Sequence, residues 1–173
     1  MDEVILLSED GDAIGVFPKD EVHTTQTPLH LAFSCHVLDE NGRILVTRRA
    51  LRKRTWPGVW TNSFCGHPRP GESMTDAVHR RAQEELGLTV TDVTMVLADY
   101  RYRAVDASGI VENEICPVHI ARIDGALVPD PDEVSEWAWV DPAEFADAVA
   151  AAPFAFSPWL VEQLPQLRAH GAV

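Results

Sequence analysis

The chain has 173 residues, with 14 Lys and Arg against 27 Asp and Glu, which gives a formal net charge of −13. This length suits one compact domain, and a composition with 46% hydrophobic and 24% charged residues excludes general disorder. The acidic balance argues against bulk binding to nucleic acid or to an anionic membrane, because the summed field repels polyanions. An anionic ligand would therefore have to meet a local basic patch.

The cysteines and the N-terminus bear on the compartment. Cys35, Cys65 and Cys116 have no paired spacing, which favours reduced thiols. The acidic residues Asp2 and Glu3 stand where a secretory signal would have basic ones, and no apolar run approaches the roughly 18 residues needed to cross a bilayer. We therefore expect a cytoplasmic, monomeric protein that binds neither nucleic acid nor membranes.

The first predicted elements are strands. Residues 4–7 and 13–17 flank Glu9-Asp10-Gly11-Asp12, which is typical of a hairpin. Apolar residues at the odd positions of 29–37 predict one strand with a single buried face. After a turn at Asp39-Glu40-Asn41-Gly42, residues 43–48 are predicted to run antiparallel to it.

The clearest helix is predicted over residues 74–86. Ser73 followed by Asp76 is a capping-box pattern, and Gly87 stands where a helix C-terminus favours glycine. The remaining elements are strands at 93–103, 110–123 and 134–140, and helices that open at Asp141-Pro142 and Ser157-Pro158. This order predicts an α/β fold, a mixed β-sheet sandwich flanked by helices.

A chemical signal spans the start and the body of the 74–86 helix. Arg80 and Glu84, like Arg81 and Glu85, are spaced to pair along one helix face. By themselves they predict only a solvated helix with two ion pairs. The full pattern that they belong to is Gly66, Glu72, Arg80, Glu84, Glu85, Gly87 and Leu88. It resembles the Nudix box, G-x5-E-x7-R-E-U-x-E-E-x-G-U with U aliphatic, whose carboxylates hold Mg²⁺ against a diphosphate.

One position departs from that box. Arg81 stands where the motif has its first helix glutamate. An arginine neither accepts a proton at neutral pH nor ligates a cation, so this residue disfavours hydrolysis and favours a grip on the diphosphate instead. A Nudix hydrolase of a nucleoside diphosphate, and a non-enzymatic module that binds metal and diphosphate, remain as alternatives.

Three further stretches resemble one branch of the family, the type I isopentenyl-diphosphate:dimethylallyl-diphosphate isomerases. They are WPGVWTNSFCGH at 56–67, SGIVENE at 108–114 and FSPW at 156–159. The resemblance implies reversible isomerisation of isopentenyl diphosphate to dimethylallyl diphosphate, by a 1,3-allylic proton transfer through a carbocation-like intermediate in isoprenoid biosynthesis. It also implies a single Nudix-type isomerase domain over 1–173, with an N-terminal hairpin at 1–18, a catalytic core at about 19–160 and a C-terminal helix at 158–170.

The resemblance implies two metal sites. Type I isomerases bind a metal with three histidines and two glutamates, and the matching residues are His23, His30, His67, Glu112 and Glu114. In a strand, the two glutamates would project from the same face. Imidazole with carboxylate suits Mn²⁺ or Zn²⁺, and the sequence leaves both open. Glu85 matches the ligand of a Mg²⁺ that is bound with the substrate diphosphate.

The same resemblance implies the catalytic and substrate-binding residues. Cys65 and Glu114 match the proton carriers, Tyr102 matches a hydrogen-bond partner of that glutamate, and Trp159 matches a ring that stabilises the developing cation through its π-face. Six of the 14 basic residues lie within 43–54. The diphosphate clamp is implied to consist of Lys19, Arg49, Lys53 and Arg81, with a hydroxyl from Ser34.

Overall fold

The computed structural model describes residues 2–173, so Met1 of the predicted 1–18 hairpin lies outside the described residues. The helices are α1 (Met74–Leu86), α2 (Pro142–Ala151) and α3 (Pro158–Ala169), with a 3₁₀ turn at Pro153–Ala155. The strands are β1 (Glu3–Leu7), β2 (Ala13–Pro18), β3 (His30–Leu31), β4 (Phe33–Leu38), β5 (Ile44–Arg49), β6 (Trp60–Thr61), β7 (Phe64–Gly66), β8 (Thr89–Leu97), β9 (Arg101–Val105), β10 (Val111–Ile115), β11 (Val118–Asp124) and β12 (Val134–Val140).

The strands form two mixed sheets. The first has the order β2-β1-β3-β10-β9, and the second has the order β12-β5-β4-β11-β8, with β6 on β5 and β7 on β4. The β3–β10 and β4–β11 pairs are parallel, whereas the hairpin pair β1–β2 is antiparallel, as its turn sequence predicts. The predicted mixed-sheet α/β fold is confirmed.

Three segments predicted as long single strands are each divided between the two sheets. The 29–37 segment breaks at Ala32 into β3 and β4, the 93–103 segment breaks after Leu97 into β8 and β9, and the 110–123 segment breaks at Cys116-Pro117 into β10 and β11. A side chain pattern of period 2 continues across such a break, so the pattern alone does not reveal it. Each segment therefore passes from one sheet to the other, and we call the line of these three breaks the seam between the sheets.

The expectation that β4 has a single buried face is wrong, because helices cover the central sheet on both sides. Phe33, Cys35 and Val37 pack in the core cluster that contains residues of α1. The alternate residues Ser34 and His36 hydrogen-bond to a glutamine of α3. All six residues of β4 are consequently buried.

Helix α1 has the predicted bounds and caps. The Ser73 hydroxyl accepts a hydrogen bond from the Asp76 amide, and Gly87 adopts a left-handed conformation with φ of 60°. A Cβ at Gly87 would lie 2.5 Å from the Val128 carbonyl oxygen, so both the backbone angle and the close approach require glycine. No helix within residues 2–173 is long and apolar enough to span a membrane.

The two tryptophans of β12, Trp137 and Trp139, differ in burial. Trp139 packs against the core, whereas the Trp137 side chain is 46% exposed. Because the two residues are two positions apart on a regular part of the strand, they share one face, which is covered by the core at Trp139 and open to solvent at Trp137.

We predict that His36 makes folding stability depend on pH. Burial lowers the pKa of His36 to about 4, from 6.5 in a solvated chain, despite a hydrogen bond to Gln163. The unfolded chain therefore binds the proton more tightly than the folded chain does. The contribution of neutral His36 to the free energy of unfolding is fully present above pH 6.5 and is lost as the pH falls towards 4. At about pH 5 the loss is about 2 kcal/mol.

Urea unfolding of wild type and His36→Gln at about pH 7.5 and about pH 5 tests this prediction. The variant should lose about 2 kcal/mol less than the wild type between the two pH values. The exposed His170, as His170→Gln, is the matched control. Equal losses in wild type and His36→Gln would contradict the assignment.

Candidate active site

A cavity of about 360 Å³ opens beside the seam between the two sheets. Most of the residues singled out from the sequence line it: Lys19, His23, Arg49, Lys53, Cys65, His67, Arg81, Glu85, Tyr102, Glu112, Glu114 and Trp159. His30 and Ser34 are fully buried and lie outside this lining. The fold thus gathers residues that are widely separated in sequence into one place.

A compact group of nitrogen and oxygen donors lies at the cavity. One ligand atom from each of His23, His30, His67 and Glu114 lies within 4.8 Å of all the others. The His30 Nε2 is 3.2 Å from the His67 Nε2, and the latter is 3.1 Å from Glu114 Oε1. These four residues could hold a metal ion.

The donor chemistry of this group fits a divalent transition metal. The His30 Nδ1 is 2.9 Å from the Pro28 carbonyl oxygen, which only accepts, so this nitrogen donates and the neutral ring presents its Nε2 lone pair to the group. The His23 Nε2 is buried without a hydrogen-bond partner. Buried polar atoms are rarely left unpartnered in proteins, and a metal ion would satisfy this one.

Glu112 lies beside this group rather than within it. Its Oε1 accepts a hydrogen bond from the Thr55 hydroxyl at 2.7 Å. Its Oε2 lies 2.9 Å from the His23 Nε2, at ion-pair distance but outside hydrogen-bond geometry. The structure therefore places four of the five predicted ligands together and Glu112 in contact with one of them.

Burial and neighbouring charges have opposing effects on the pKa values of these ligands. Burial opposes a charge on His23, but the carboxylates of Glu112 and Glu114 outweigh it and raise its pKa to about 9. Burial lowers the pKa of His67 to about 4. Burial by itself would raise the pKa of Glu114, yet the three histidines hold it well below its ordinary value. A metal ion would thus meet an ionised Glu114 and a neutral His67, and would displace a proton from His23.

Tyr102 and Glu114 are directly opposed on neighbouring strands β9 and β10. The Tyr102 hydroxyl donates to Glu114 Oε2 at 2.9 Å, while Glu114 Oε1 faces the histidines. Burial and the adjacent carboxylates raise the pKa of Tyr102 well above its ordinary value, so this hydroxyl keeps its proton. Glu114 is therefore fixed at both oxygens.

Cys65 lies on the short strand β7, with its side chain in the cavity lining. Its Sγ is 3.4 Å from both the Ser34 hydroxyl and the Asn62 Oδ1. Burial, together with the carboxylates of Glu114 and Glu85, raises the pKa of Cys65 to about 12. The residue is consequently a thiol at neutral pH and can donate a proton.

Trp159 stands in the first turn of α3 and is 2% exposed. Its ring packs edge-on against Trp56 at 5.4 Å and lies 5.6 Å from the Tyr102 ring, measured between centroids. The Arg49 guanidinium carbon lies 5.5 Å from the Trp159 centroid, within the range of a cation–π contact. The aromatic wall of the cavity is therefore rigidly packed.

The predicted cationic residues Lys19, Arg49, Lys53 and Arg81 also line the cavity, and Lys53 and Arg81 have acidic partners. Arg81 pairs with Glu85 and with Glu84, the latter at 2.9 Å, and lies 3.5 Å from Glu133. Lys53 also pairs with Glu133. Ser34 does not join this set, because its hydroxyl is enclosed between the Cys65 thiol and α3.

Two residues of the box, Arg80 and Gly66, hold the loop before α1 in place. Arg80 donates to Glu72 at 2.7 Å and to the His67 carbonyl oxygen at 3.0 Å. At Gly66, an added Cβ would lie 2.7 Å from the Arg81 side chain and 2.9 Å from Phe33. Arg80 and Gly66 thus fix the position of His67 relative to the helix.

Sequence reasoning missed Glu133 and Asn62. Glu133 precedes β12 and belongs to no motif, so only the fold brings it to Lys53 and Arg81. Asn62 stands inside the 56–67 stretch but has no charge or nucleophile to attract attention. Its complete burial beside Cys65 is visible only in the structure.

Comparison with known proteins decides the family. The NUDIX domain model matches residues 28–160. A protein of Clavibacter sepedonicus named isopentenyl-diphosphate Delta-isomerase is 63% identical over 164 residues, which cover 95% of this chain and 86% of that protein. One of the same name from Leifsonia xyli subsp. xyli is 61% identical, over 97% and 92% of the two chains. The chain belongs to the NUDIX family and, within it, to the isopentenyl-diphosphate Delta-isomerases.

Solved structures confirm the Nudix fold of this isomerase family member. DR0079 from Deinococcus radiodurans superposes with a TM-score of 0.72 at 18% identity, covering 95% of this chain and 98% of that one. The MutT protein from Methanosarcina mazei Go1 gives a TM-score of 0.64 at 17% identity, covering 84% and 97%. At such identities the likeness concerns the fold alone.

We predict that His67→Ala lowers the metal content of the purified protein. Its Nε2 lies 3.2 Å from the His30 Nε2 and 3.1 Å from Glu114 Oε1, and even the loss of a residue that only orients a ligand costs about 10- to 100-fold in affinity. Elemental analysis after dialysis against a metal buffer measures the effect. His79→Ala, which alters an exposed histidine on α1, should keep its metal, and full stoichiometric metal in His67→Ala would exclude His67 as a ligand.

We predict that Trp159→Phe retains more isomerase activity than Trp159→Leu. Phenylalanine keeps a weaker π-face, whereas leucine has none, and the difference should be about 1–2 kcal/mol, or roughly five- to thirty-fold in rate. Turnover number and melting temperature are measured together. Equal turnover by two equally stable variants would leave Trp159 with a packing role only.

Proposed function

We propose that this chain interconverts isopentenyl diphosphate and dimethylallyl diphosphate in isoprenoid biosynthesis, with Cys65 and Glu114 as its two proton carriers. In the forward direction a proton adds to the terminal methylene carbon of the alkene, and another proton leaves C2. The observation that carries this proposal is that the Cys65 thiol and the Glu114 carboxylate line the same cavity as the packed ring of Trp159. Hydrolysis of a diphosphate does not require this combination.

The two proton carriers differ as the reaction requires. Cys65 is protonated and Glu114 is ionised in the resting site, so one group can donate while the other accepts. Because the reaction is reversible, each group must serve in both directions. Tyr102 keeps Glu114 oriented through its hydrogen bond and supports protonation of the alkene.

Trp159 supplies the stabilisation that a tertiary cation needs without a nucleophile that would trap it. Its ring is buried against Trp56 and Tyr102, and an electron-rich π-face attracts a cation most strongly when water is excluded. The same exclusion of water prevents hydration of the cation. This argues against the alternative function, hydrolysis of a nucleoside diphosphate, which requires an activated water at this place.

The diphosphate is proposed to bind in the cavity against Lys19, Arg49, Lys53 and Arg81, all of which line it. Arginine can bind phosphate oxygens through two parallel hydrogen bonds. Ser34 is enclosed behind Cys65, so we assign it no contact with the diphosphate.

Two divalent cations belong to this proposal. Glu85 would hold a Mg²⁺ that arrives with the diphosphate, and His23, His30, His67 and Glu114, with Glu112 at the side, would hold Mn²⁺ or Zn²⁺. When bound, the cations neutralise negative charge and adjust the acidity of Glu114. The partner is a small molecule, and no nucleic acid or membrane is required.

Incubation with isopentenyl diphosphate and Mg²⁺ in D₂O, followed by product NMR, tests the function. We predict deuterated dimethylallyl diphosphate from the wild type and a loss of more than about 10²-fold in Cys65→Ala, since a proton-transfer group contributes at least that much. Cys35→Ala is the matched control, because Cys35 is a buried thiol outside the cavity lining. Released phosphate would support the hydrolase instead, and near-normal turnover in Cys65→Ala would exclude Cys65 as a proton carrier.

A further inference from the structure

A buried amide, that of Asn62, lies directly behind Cys65, one of the two proposed proton carriers. Asn62 has no exposed surface and does not line the cavity, so it cannot touch a substrate there. It connects the end of β6 to β7, which carries Cys65, and it faces the first turn of α3, which carries Trp159. It therefore contacts two side chains of the proposed machinery from outside the site.

Its hydrogen bonds determine which way the amide points. The Nδ2 is 2.7 Å from the Phe64 carbonyl oxygen and 3.0 Å from the Cys35 carbonyl oxygen. Backbone carbonyls only accept, so the amide nitrogen must face them and the Oδ1 must face the opposite way. A flipped amide would leave those carbonyls facing an oxygen, at the cost of unpaired buried acceptors.

The oxygen of the amide receives both functional side chains. Trp159 Nε1, which can only donate, lies 2.9 Å from Asn62 Oδ1. The Cys65 Sγ lies 3.4 Å from the same oxygen, and the Thr61 hydroxyl donates to it at 2.9 Å. The Thr61 hydroxyl also lies 2.8 Å from that of Ser157, the residue before α3, which fixes the helix start against the same point.

We propose that Asn62 is a positioning residue that fixes the Cys65 thiol and the Trp159 indole relative to each other through its single carbonyl oxygen. A proton carrier and a cation-stabilising ring must meet the same small substrate, and a misplacement of about 1 Å can cost about 10²-fold in rate. The catalytic consequence rests on the proposed isomerase function, whereas the two hydrogen bonds do not.

Asn62→Ala is compared with Ser63→Ala, a matched change at the next residue. Ser63 is equally buried, but its hydroxyl contacts only the backbone of Val37 and Leu45. Both variants should lose stability. Only Asn62→Ala should lose turnover, by about 10²-fold, with a Michaelis constant for isopentenyl diphosphate within about two-fold of wild type, because no cationic residue of the proposed clamp contacts Asn62. Equal losses of turnover in the two variants would reduce Asn62 to a structural role.

The indole N–H resonance of Trp159 reports on its hydrogen bond to Asn62 without any measurement of enzyme activity. It is assigned in ¹H–¹⁵N spectra by its disappearance in Trp159→Phe. In the wild type it should exchange slowly with solvent, and in Asn62→Ala it should shift and exchange faster, while Ser63→Ala leaves it unchanged. Rapid exchange in the folded wild type would overturn the proposal even if Asn62→Ala does not fold.

A double-mutant cycle tests the link between the two side chains. If Asn62 acts by holding the indole, Trp159→Phe should lower turnover less in the Asn62→Ala background than in the wild type. Strictly additive losses would contradict the proposal. If the wild type itself forms no deuterated dimethylallyl diphosphate, the proposed function fails, and the indole resonance still decides whether Asn62 holds Trp159.

Discussion

The buried carboxylate of Glu114 is the constraint on which the arrangement of the site depends. A charge taken out of water is costly unless it is paired and hydrogen-bonded, and Glu114 is only 4% exposed. Three histidines face one of its oxygens, and the Tyr102 hydroxyl donates to the other. Removal of these partners would leave the charge uncompensated, so the residues that make the site reactive are also those that make it stable.

The seam between the sheets explains how these partners meet. His30, Tyr102 and Glu114 lie on β3, β9 and β10, each of which is one part of a segment that continues into the second sheet. Glu114 pairs with His30 on one side and with Tyr102 on the other, in register. The hydrogen bonds of the first sheet therefore set the spacing of the three side chains, and the second sheet adds Cys65 on β7.

The sequence predicts the elements better than their connections. The helix Met74–Leu86 follows from its caps, because Ser73 and Gly87 act locally. The breaks at Ala32 and at Cys116-Pro117 do not follow from the pattern, because the choice between one long strand and two shorter ones is made by the packing of the sheets. The fold class was therefore predictable, whereas the division of strands between sheets was not.

The site was predictable where residues match a motif, and not where a contact arises from the fold. His67 and Arg81 belong to recognisable patterns, and the structure places both in the cavity lining. Ser34 matched a family position, yet its side chain faces α3, because successive residues of a strand face opposite sides and the odd positions of β4 face α1. Asn62 and Glu133 act through contacts that no spacing in the sequence specifies.

The cavity combines two opposite electrostatic arrangements of the same residue types. In the donor group, the Glu114 carboxylate contacts histidines, and a bound metal ion would take over these contacts. In the proposed diphosphate clamp, the cations Lys53 and Arg81 are already paired with Glu133 and Glu85. A diphosphate bound there would have to compete with these carboxylates for the cations, and a divalent cation that accompanies it would relieve the repulsion between the diphosphate and the carboxylates. The acidic partners of the proposed clamp thus favour a metal-bound diphosphate over a free one.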